Sequence, residues 1–407
     1  MLPRDHSPPF AIPGRPRRFR LFRTTTLIPS LVFLTVTIAL LVVMKEAQPS
    51  LSTSPDAPTG HSESSAVWYR MQAVPDYFVQ SDPTTNASQF SFLTSNFGLI
   101  SRSYSSDPSY PSDEPKPTQW QRFYHHLSTL NADAPPSTSY RLLFLGRHGQ
   151  GFHNIAETYY SRVAWDCYWS TLEGNGTVNW LDAHLTPVGQ GQAKTASNFW
   201  ASQIKEQKMK TPEAYYLSPM DRAIETADIT FRQLKFPHGS GPYRPLIKEM
   251  LRETNGIHTC DKRSPLSTIR SRWQDPPYRI EEGFTEKDEL WDPDLRETDS
   301  AHTQRMLGAL DDIFAHDDST VISLTVHSGV IAAILRGVGH RSFIMETGGV
   351  IPVLVKTEKV TGRRPDVKTE PWHPKPACPP GFSLEGRDAS DAAFKEFLEV
   401  NGGIRIP

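Results

Sequence analysis

The sequence predicts an α/β fold, a three-layer sandwich whose mostly parallel central sheet is flanked by helices, preceded by a single transmembrane helix. Three observations support this prediction. After residue 139, short apolar runs alternate with helical patterns, which favours strand–helix–strand units. The runs are apolar throughout rather than at every second residue, as expected for strands buried on both faces. Residues 24–44, ahead of all these runs, carry no charge.

The apolar runs predict five strands, over residues 140–145, 214–217, 245–251, 320–326 and 351–356. Helices are predicted around residues 120–130, 330–335 and 392–398. Ser218-Pro219 suits an N-cap followed by a first helical residue, so a further helix is expected to begin there. In sheets of this kind ligands bind at the carboxyl ends of the strands. The polar residues that follow the strands are therefore expected to meet at one edge.

The N-terminal part predicts one membrane span. Residues 1–23 contain six arginines and one acidic residue, and the 21 residues that follow are uncharged. A helix of that length spans about 31 Å, close to the hydrocarbon core of a bilayer. The apolar run exceeds that of a cleaved signal peptide, and the positive charge precedes it. We therefore expect a type II signal anchor, with the rest of the chain lumenal or extracellular and two possible glycan acceptors at Asn86 and Asn175.

Composition shifts divide the chain into six regions. They are a basic cytosolic arm (1–23), the transmembrane anchor (24–44), a disordered Pro/Ser/Thr-rich stem (45–66), an N-terminal extension packed on the core (67–139), the α/β domain (140–360) and a C-terminal wrap or tail (361–407).

Composition also excludes several classes of protein. The net charge is −2 over 407 residues and the arm is basic, so the body is acidic and nucleic acid is not an expected partner. Aromatic residues make up 10% of the chain, which excludes wholesale disorder. The three cysteines, Cys167, Cys260 and Cys378, allow at most one internal disulfide and exclude a structural zinc site. We predict no metal or other cofactor, and the sequence does not determine an oligomeric state.

Residues suited to phosphate chemistry follow separate predicted strands. Arg147 and His148 follow the first strand, Arg222 lies in the helix after the second, Glu253 follows the third and His327 the fourth. Two guanidiniums and two imidazoles repel one another unless an anion is bound, and a guanidinium matches the geometry of phosphate oxygens. Together these residues predict a site that binds a phosphoryl group.

Such a site can transfer phosphate in two steps. A histidine held among these donors can attack phosphorus and form a phosphohistidine. One carboxyl group then serves as general acid for the leaving oxygen and as general base for water. The cations stabilise the charge on the equatorial oxygens.

Five segments, in this order, resemble a known family: Leu145-Gly146-Arg147-His148-Gly149-Gln150 with His153-Asn154, Asp182-Ala183-His184-Leu185-Thr186-Pro187-Val188-Gly189-Gln190-Gly191-Gln192-Ala193, Ser218-Pro219-Met220-Asp221-Arg222-Ala223, Leu251-Arg252-Glu253, and Val326-His327-Ser328-Gly329. Over residues 77–357 the chain resembles the histidine phosphatase superfamily, in its phosphoglycerate mutase-like branch and in the version common in fungi.

This resemblance implies a role for each matching residue. His148 would be the phosphorylated nucleophile, and Glu253 the proton donor. The phosphate pocket would be lined by Arg147, Asn154, Arg222 and His327. The acid-phosphatase branch is disfavoured, because Ser328 rather than an aspartate follows His327 and no second arginine follows Gly149 closely.

Two departures from the mutase pattern affect the assignment. Gln150 stands where mutases usually have Glu, and Glu253 lies one residue closer to Gly256 than in the mutases, so Glu249 is the alternative acid. Lys262 or Arg263 could contact the far end of a substrate.

The sequence therefore predicts a phosphomonoester hydrolase that acts on a small phosphorylated substrate through phospho-His148. A phosphoglycerate-type phosphomutase is the alternative, which would have to shield the phosphoenzyme from water. Two alternatives of other classes are a catalytically silent phosphate-binding module and a lumenal glycosyltransferase that uses Asp292-Pro293-Asp294.

Overall fold

A computed structural model describes residues 66–111, 116–238, 240–274, 278–383 and 392–404. The predicted arm, the anchor and the stem up to residue 65 lie outside these ranges. Within them, no helix combines the length and the apolar character needed to cross a membrane.

The described part contains nine strands and eight α-helices. In chain order they are β1 (Val67–Ala73), α1 (Gln119–Ala132), β2 (Thr138–Arg147), α2 (Phe152–Cys167), α3 (Pro187–Glu206), β3 (Ala214–Leu217), α4 (Asp221–Phe231), β4 (Leu246–Ile247), α5 (Leu266–Arg272), β5 (Arg279–Ile280), β6 (Leu295–Arg296), α6 (Asp299–His316), β7 (Val321–Val326), α7 (Ser328–Gly337), β8 (Val350–Thr361), β9 (His373–Pro374) and α8 (Ala392–Gly402).

Seven of the strands form the central sheet, in the order β1-β8-β2-β7-β3-β4-β5. Strands β2, β7, β3, β4 and β5 pair in parallel, and β8 runs antiparallel to its neighbours β1 and β2. The prediction of a mostly parallel sheet is therefore confirmed, and the parallel strands end at the same edge.

Helices cover both faces of this sheet. On β2, Leu143 and Leu145 pack in the cluster that contains α6 and α7, whereas Leu142 and Phe144 pack in the cluster that contains α1, α3 and α4. All four side chains are fully buried. Burial on both faces explains why the strands are apolar without alternation.

The N-terminal extension contributes both an edge strand and a helix. Strand β1 pairs with β8 over its full length. Helix α1 begins with a capping box, in which Thr118 and Gln121 exchange side-chain and backbone hydrogen bonds. Trp120 and Phe123 on its apolar face are fully buried, as the helical spacing predicts.

The C-terminal tail contacts strand β6 and helix α2. Strand β9 pairs with β6, and Phe394 of α8 packs on Tyr159 of α2, with ring centroids 4.7 Å apart. A disulfide joins Cys167, the last residue of α2, to Cys378 in the tail. The remaining cysteine, Cys260, is free and buried.

Two predictions of local structure were wrong. The strand predicted over 245–251 is only the two residues of β4, because the backbone N–H of Glu249 bonds the Glu281 carboxylate and residues 249–251 form a single 3₁₀ turn. Helix α4 begins at Asp221 with Met220 in the N-cap position, so Ser218 does not cap it. The Ser218 hydroxyl instead bonds His327.

The loop between β2 and α2 packs directly on the first turn of α3. A Cβ on Gly189 would lie 2.1 Å from the carbonyl oxygen of Gln150, and a Cβ on Gly149 would lie 2.4 Å from the carbonyl oxygen of Gly189. Real Cβ atoms do not approach so closely, so both positions require glycine for backbone-to-backbone contact. This contact fixes the loop that carries His148.

We expect Gly189→Ala to lower the free energy of unfolding by about 1–3 kcal/mol, because the added methyl group must push the loop and the helix apart. Gly191→Ala is the matched control, since a Cβ there meets nothing within 4 Å. It should leave stability unchanged or raise it by about 0.5–1 kcal/mol through helix propensity. Urea denaturation of the two variants measures the difference, and equal stabilities would contradict the close approach.

Candidate active site

The carboxyl edge of the sheet brings the predicted site residues together. Arg147 ends β2 and His148 follows it, His327 follows β7, and Arg222 lies in the first turn of α4 after β3. A cavity of about 180 Å³ opens at this edge. Five of the predicted residues line it: Arg147, His148, Asn154, Arg222 and Glu253. The ring of His327 packs against that of His148, with centroids 5.0 Å apart.

His148 is oriented by its own loop. Its Nδ1 lies 2.7 Å from the carbonyl oxygen of Gly149, so Nδ1 carries the proton and donates it. The other nitrogen, Nε2, accepts from Nε of Arg222 at 3.3 Å. Burial and the nearby charges of Arg222 and Arg147 hold the pKa of His148 well below its usual range. The imidazole is therefore neutral, with the Nε2 lone pair directed among cations.

Arg222 is held from two sides. It is 1% exposed. Its Nη1 donates to the carbonyl oxygen of Cys260 at 2.6 Å, and its Nη2 pairs with Oδ1 of Asp261 at 3.1 Å. These contacts leave Nε of Arg222 directed at Nε2 of His148, the atom that would carry a phosphoryl group.

Arg147 supplies a second positive charge. Its Nη1 donates to the carbonyl oxygen of Met345 at 2.6 Å, and its buried Nε has no protein partner in the described residues. No carboxylate of those residues lies within ion-pair distance of this side chain. Its burial lowers the pKa of the guanidinium, while Glu253 acts in the opposite direction.

His327 and Asn154 provide neutral donors. Nε2 of His327 lies 2.6 Å from the hydroxyl oxygen of Ser218, and that hydroxyl also accepts from the backbone N–H of Met220. The hydroxyl proton is thus directed to Nε2, which leaves Nδ1 of His327 as a donor. Oδ1 of Asn154 accepts from the backbone N–H of Gly151 at 2.9 Å, which leaves its amide hydrogens for a ligand.

Glu253, the acid predicted from the sequence, lines the cavity. One of its oxygens accepts from the backbone N–H of Gly329 at 3.1 Å and the other from that of Thr254 at 2.9 Å. Burial raises the pKa of Glu253, and the charge of Asp261 raises it further. The alternative acid, Glu249, instead pairs with Arg263 at 2.7 Å and does not line the cavity.

Sequence reasoning missed Asp261. This carboxylate is 3% exposed and bridges two arginines, Arg222 at 3.1 Å and Arg296 at 2.8 Å. Neither Lys262 nor Arg263, the neighbouring residues expected to contact the far end of a substrate, lines the cavity. A buried arginine such as Arg222 requires a compensating charge, so a search for an unassigned acid near Glu253 would have found Asp261.

Sequence reasoning also missed three residues of α2 that line the cavity: Glu157, Arg162 and Trp165. His153 and His258 line it as well, so the cavity contains two imidazoles besides that of His148. Nη1 of Arg162 lies 3.0 Å from Glu157, and its Nε lies 2.7 Å from Asp166. Burial lowers the pKa of His258 to about 3, so this ring is neutral.

The described residues include two clusters of potential metal ligands. One consists of His258, Cys260 and Asp261, and the other of His184, Asp221 and Glu225. In each cluster the buried carboxylate is already paired with arginine, Asp261 as above and Asp221 with Arg272 at 2.8 Å. A metal ion would have to displace these pairs.

The Asp292-Pro293-Asp294 segment forms a local turn. Oδ1 of Asp292 accepts from the backbone N–H groups of Asp294 at 2.8 Å and Leu295 at 2.9 Å. This carboxylate therefore stabilises its own loop, which is the commonest use of an aspartate at such a position.

Comparisons with known proteins agree with this geometry. The family model of the histidine phosphatase superfamily (branch 1) matches residues 143–343. A "probable phosphoglycerate mutase" of Arthroderma benhamiae is 50% identical over 288 residues, which cover 71% of this chain and 84% of that protein. The "phosphomutase-like protein 3" of Candida albicans is 38% identical over 320 residues, covering 78% and 89%. A "probable phosphoglycerate mutase" of Saccharomyces cerevisiae is 37% identical over 266 residues, covering 60% and 87%.

The match to the family model, the extent of these alignments and the convergence of the family's motif residues at one cavity lead to the same conclusion: this chain belongs to the histidine phosphatase superfamily.

Proposed function

We propose that the protein hydrolyses phosphate monoesters through a phosphohistidine at His148. The observation that supports this most directly is the pairing of a neutral, buried imidazole with a buried carboxyl group in one cavity. Nε2 of His148 is free to attack once phosphate replaces it as the partner of Arg222. Glu253, with its raised pKa, can hold a proton for the leaving group.

In the first step Nε2 of His148 attacks phosphorus and the bond from phosphorus to the ester oxygen breaks. The leaving oxygen takes the proton of Glu253 and departs as an alcohol. Arg147 and Arg222 stabilise the charge on the phosphoryl oxygens, and Asn154 and His327 donate hydrogen bonds to them. The carbonyl oxygen of Gly149 accepts from Nδ1 and so stabilises the positive ring of the phosphohistidine.

In the second step the Glu253 carboxylate removes a proton from water, which attacks phosphorus. The phosphorus–nitrogen bond breaks, inorganic phosphate is released, and His148 returns to its neutral form. Glu253 is protonated again and ready for the next cycle.

A phosphomutase is the second candidate, because the relatives above are named as phosphoglycerate mutases or phosphomutase-like proteins. It would share the first step but return the phosphoryl group to another hydroxyl of the bound product instead of to water. Phosphorus NMR of 3-phosphoglycerate incubated with the protein distinguishes the two, since a mutase forms 2-phosphoglycerate and a hydrolase forms inorganic phosphate. A catalytically silent member would bind vanadate but form no phosphoenzyme.

We further propose that the catalytic domain lies on the lumenal or extracellular side of a membrane, anchored through residues 24–44. The Cys167–Cys378 disulfide supports this proposal, because such bonds persist in oxidising compartments. Of the two sequons, Asn86 has an exposed side chain, whereas Nδ2 of Asn175 donates to the hydroxyl of buried Tyr160 at 2.7 Å.

We expect His148→Ala to reduce kcat/KM for any hydrolysed monoester by about 10³-fold or more, because no nucleophile remains. The variant should also lose the acid-labile, alkali-stable phosphoryl label that a phosphohistidine gives after a rapid quench. His316→Ala, on the exposed end of α6, is the control and should keep both properties. Full turnover by His148→Ala would refute the mechanism.

We expect Asp261→Asn to move the alkaline limb of the kcat/KM profile to lower pH. Glu253 must be protonated for the first step, and the charge of Asp261 raises its pKa. Removing that charge lowers the pKa of Glu253, so the acid form is lost at a lower pH. KM should also rise, by about tenfold, as Arg222 loses its partner.

Asp288→Asn is the matched control for Asp261→Asn. Asp288 is a buried carboxylate paired with Arg252 and does not line the cavity. Its loss should reduce stability without moving the pH limb. A limb that stays in place in Asp261→Asn would contradict the electrostatic coupling of Asp261 to Glu253.

For the full chain made in a eukaryotic secretory host, we expect a fall in mass after endoglycosidase treatment. Asn86→Gln should reduce that fall more than Asn175→Gln does, because Asn175 is held by Tyr160 in the folded domain. A wild-type chain without any glycan would contradict the proposed topology.

A further inference from the structure

The cavity beside His148 contains little positive charge beyond what one phosphate group requires. Four arginines line it, namely Arg147, Arg162, Arg222 and Arg296. Its imidazoles add no charge near neutral pH, because burial lowers the pKa of His148, His153 and His258. The charge available to a ligand therefore depends on how far these four guanidiniums are already paired.

Three of the four arginines form ion pairs with carboxylates. Asp261 is shared between Arg222 and Arg296, at 3.1 and 2.8 Å. The remaining contacts of Arg296 are backbone carbonyls, with Nη1 donating to the oxygens of Thr254 at 3.0 Å and Gly256 at 2.6 Å. Arg296 is thus held by one carboxylate and two backbone carbonyl oxygens.

Arg162, near the far end of the cavity, is paired twice. Its guanidinium lies 3.0 Å from Glu157 and 2.7 Å from Asp166. Among the described residues, Arg147 is consequently the only lining arginine without a carboxylate within ion-pair distance. When Glu253 is protonated, the four lining guanidiniums are balanced by two lining carboxylates, Glu157 and Asp261, and by Asp166, which binds Arg162 from outside the lining. A phosphate dianion carries more charge than the surplus that remains.

Glu157 faces the part of the cavity that a leaving group would occupy. It follows Asn154 by three residues on α2, which places it on the same side of the helix and about 4.5 Å farther along the axis from the His148 loop. Its side chain is about one-third exposed and paired with Arg162. A second anionic group on the substrate would meet this carboxylate, and among the lining arginines that the structure describes only Arg147, beside the phosphate, has no carboxylate partner.

The cavity is also small. Its volume of about 180 Å³ is well below the roughly 300–1,000 Å³ of pockets that enclose drug-sized ligands. Its lining is mostly polar, so hydroxyl groups can be hydrogen-bonded by Glu157 and by the backbone around Thr254.

We infer that the preferred substrates are phosphate monoesters of small, uncharged, hydroxyl-bearing alcohols, and that Glu157 selects against leaving groups that carry a carboxylate. This inference rests on the proposed phosphomonoesterase activity. It separates the protein from the substrate class that the names of its relatives indicate.

Two substrates that differ in a single group test the inference. Glycerol 3-phosphate and 3-phosphoglycerate have the same size, but the latter carries a carboxylate in place of a hydroxymethyl group. For the wild-type protein we expect kcat/KM for glycerol 3-phosphate to exceed that for 3-phosphoglycerate by about tenfold or more. An equal value, or a preference for 3-phosphoglycerate, would overturn the inference.

Glu157→Gln tests the assigned residue. We expect it to raise the ratio of kcat/KM for 3-phosphoglycerate to kcat/KM for glycerol 3-phosphate several-fold, since the amide keeps the hydrogen-bonding shape without the charge. Glu206→Gln is the matched control, because it removes the same charge from the exposed far end of α3, roughly 28 Å from the turn that contacts the His148 loop. A substrate ratio that does not change in Glu157→Gln would overturn the role of Glu157.

Failure of the inference is distinguishable from failure of the proposed function. Phenyl phosphate serves as a reference substrate with an activated leaving group. Phosphate release from phenyl phosphate with a reversed preference between the two glycerol derivatives would reject only the substrate class. No release from any of the three, together with no phosphoenzyme, would reject the hydrolase itself.

Discussion

The ion pair between Arg222 and Asp261 is the interaction on which the site depends. An arginine at 1% exposure is unfavourable without a partner, and the carboxylate of Asp261 supplies one at 3.1 Å. Because the same carboxylate also binds Arg296, both guanidiniums are fixed before any ligand arrives. Arg222 then presents only its Nε to His148, which is the direction from which a phosphoryl group must be stabilised. The cavity is preorganised in this sense: its donors need not reorient during the reaction.

The same carboxylate links substrate binding to proton transfer. Asp261 pairs with Arg222 and also raises the pKa of Glu253, so in the proposed mechanism one buried group couples the binding of phosphate to the protonation of the general acid. Burial of Glu253 acts in the same direction. A carboxyl group with a raised pKa suits a residue that must give up a proton in one step and recover it in the next.

Close contacts of the loop backbone fix the position of His148. The loop of His148 lies against the first turn of α3 at Gly149 and Gly189, and the backbone N–H of Gln150 donates to Gln192 on the same helix at 2.8 Å. Farther along, the C-terminal tail packs on α2 through α8 and the Cys167 disulfide, and so supports the wall that carries Glu157. The C-terminal tail therefore supports the part of the cavity to which we assign selection among leaving groups.

The layered α/β fold and most of the residues around the proposed phosphate site follow from the amino-acid pattern. Continuous apolar runs identify strands buried on two faces, and parallel strands necessarily end at one edge, so Arg147, His148, Arg222 and His327 had to converge. The carboxylates that pair with the arginines of the cavity, in contrast, become evident only in the folded chain. Asp261 lies in a 3₁₀ turn, and its pairs with Arg222 and Arg296 join residues 39 and 35 positions apart, so no local pattern in the sequence indicates them. The folded chain also brings His327, which follows β7, next to Ser218, which follows β3. The Ser218 hydroxyl therefore bonds this imidazole instead of capping α4.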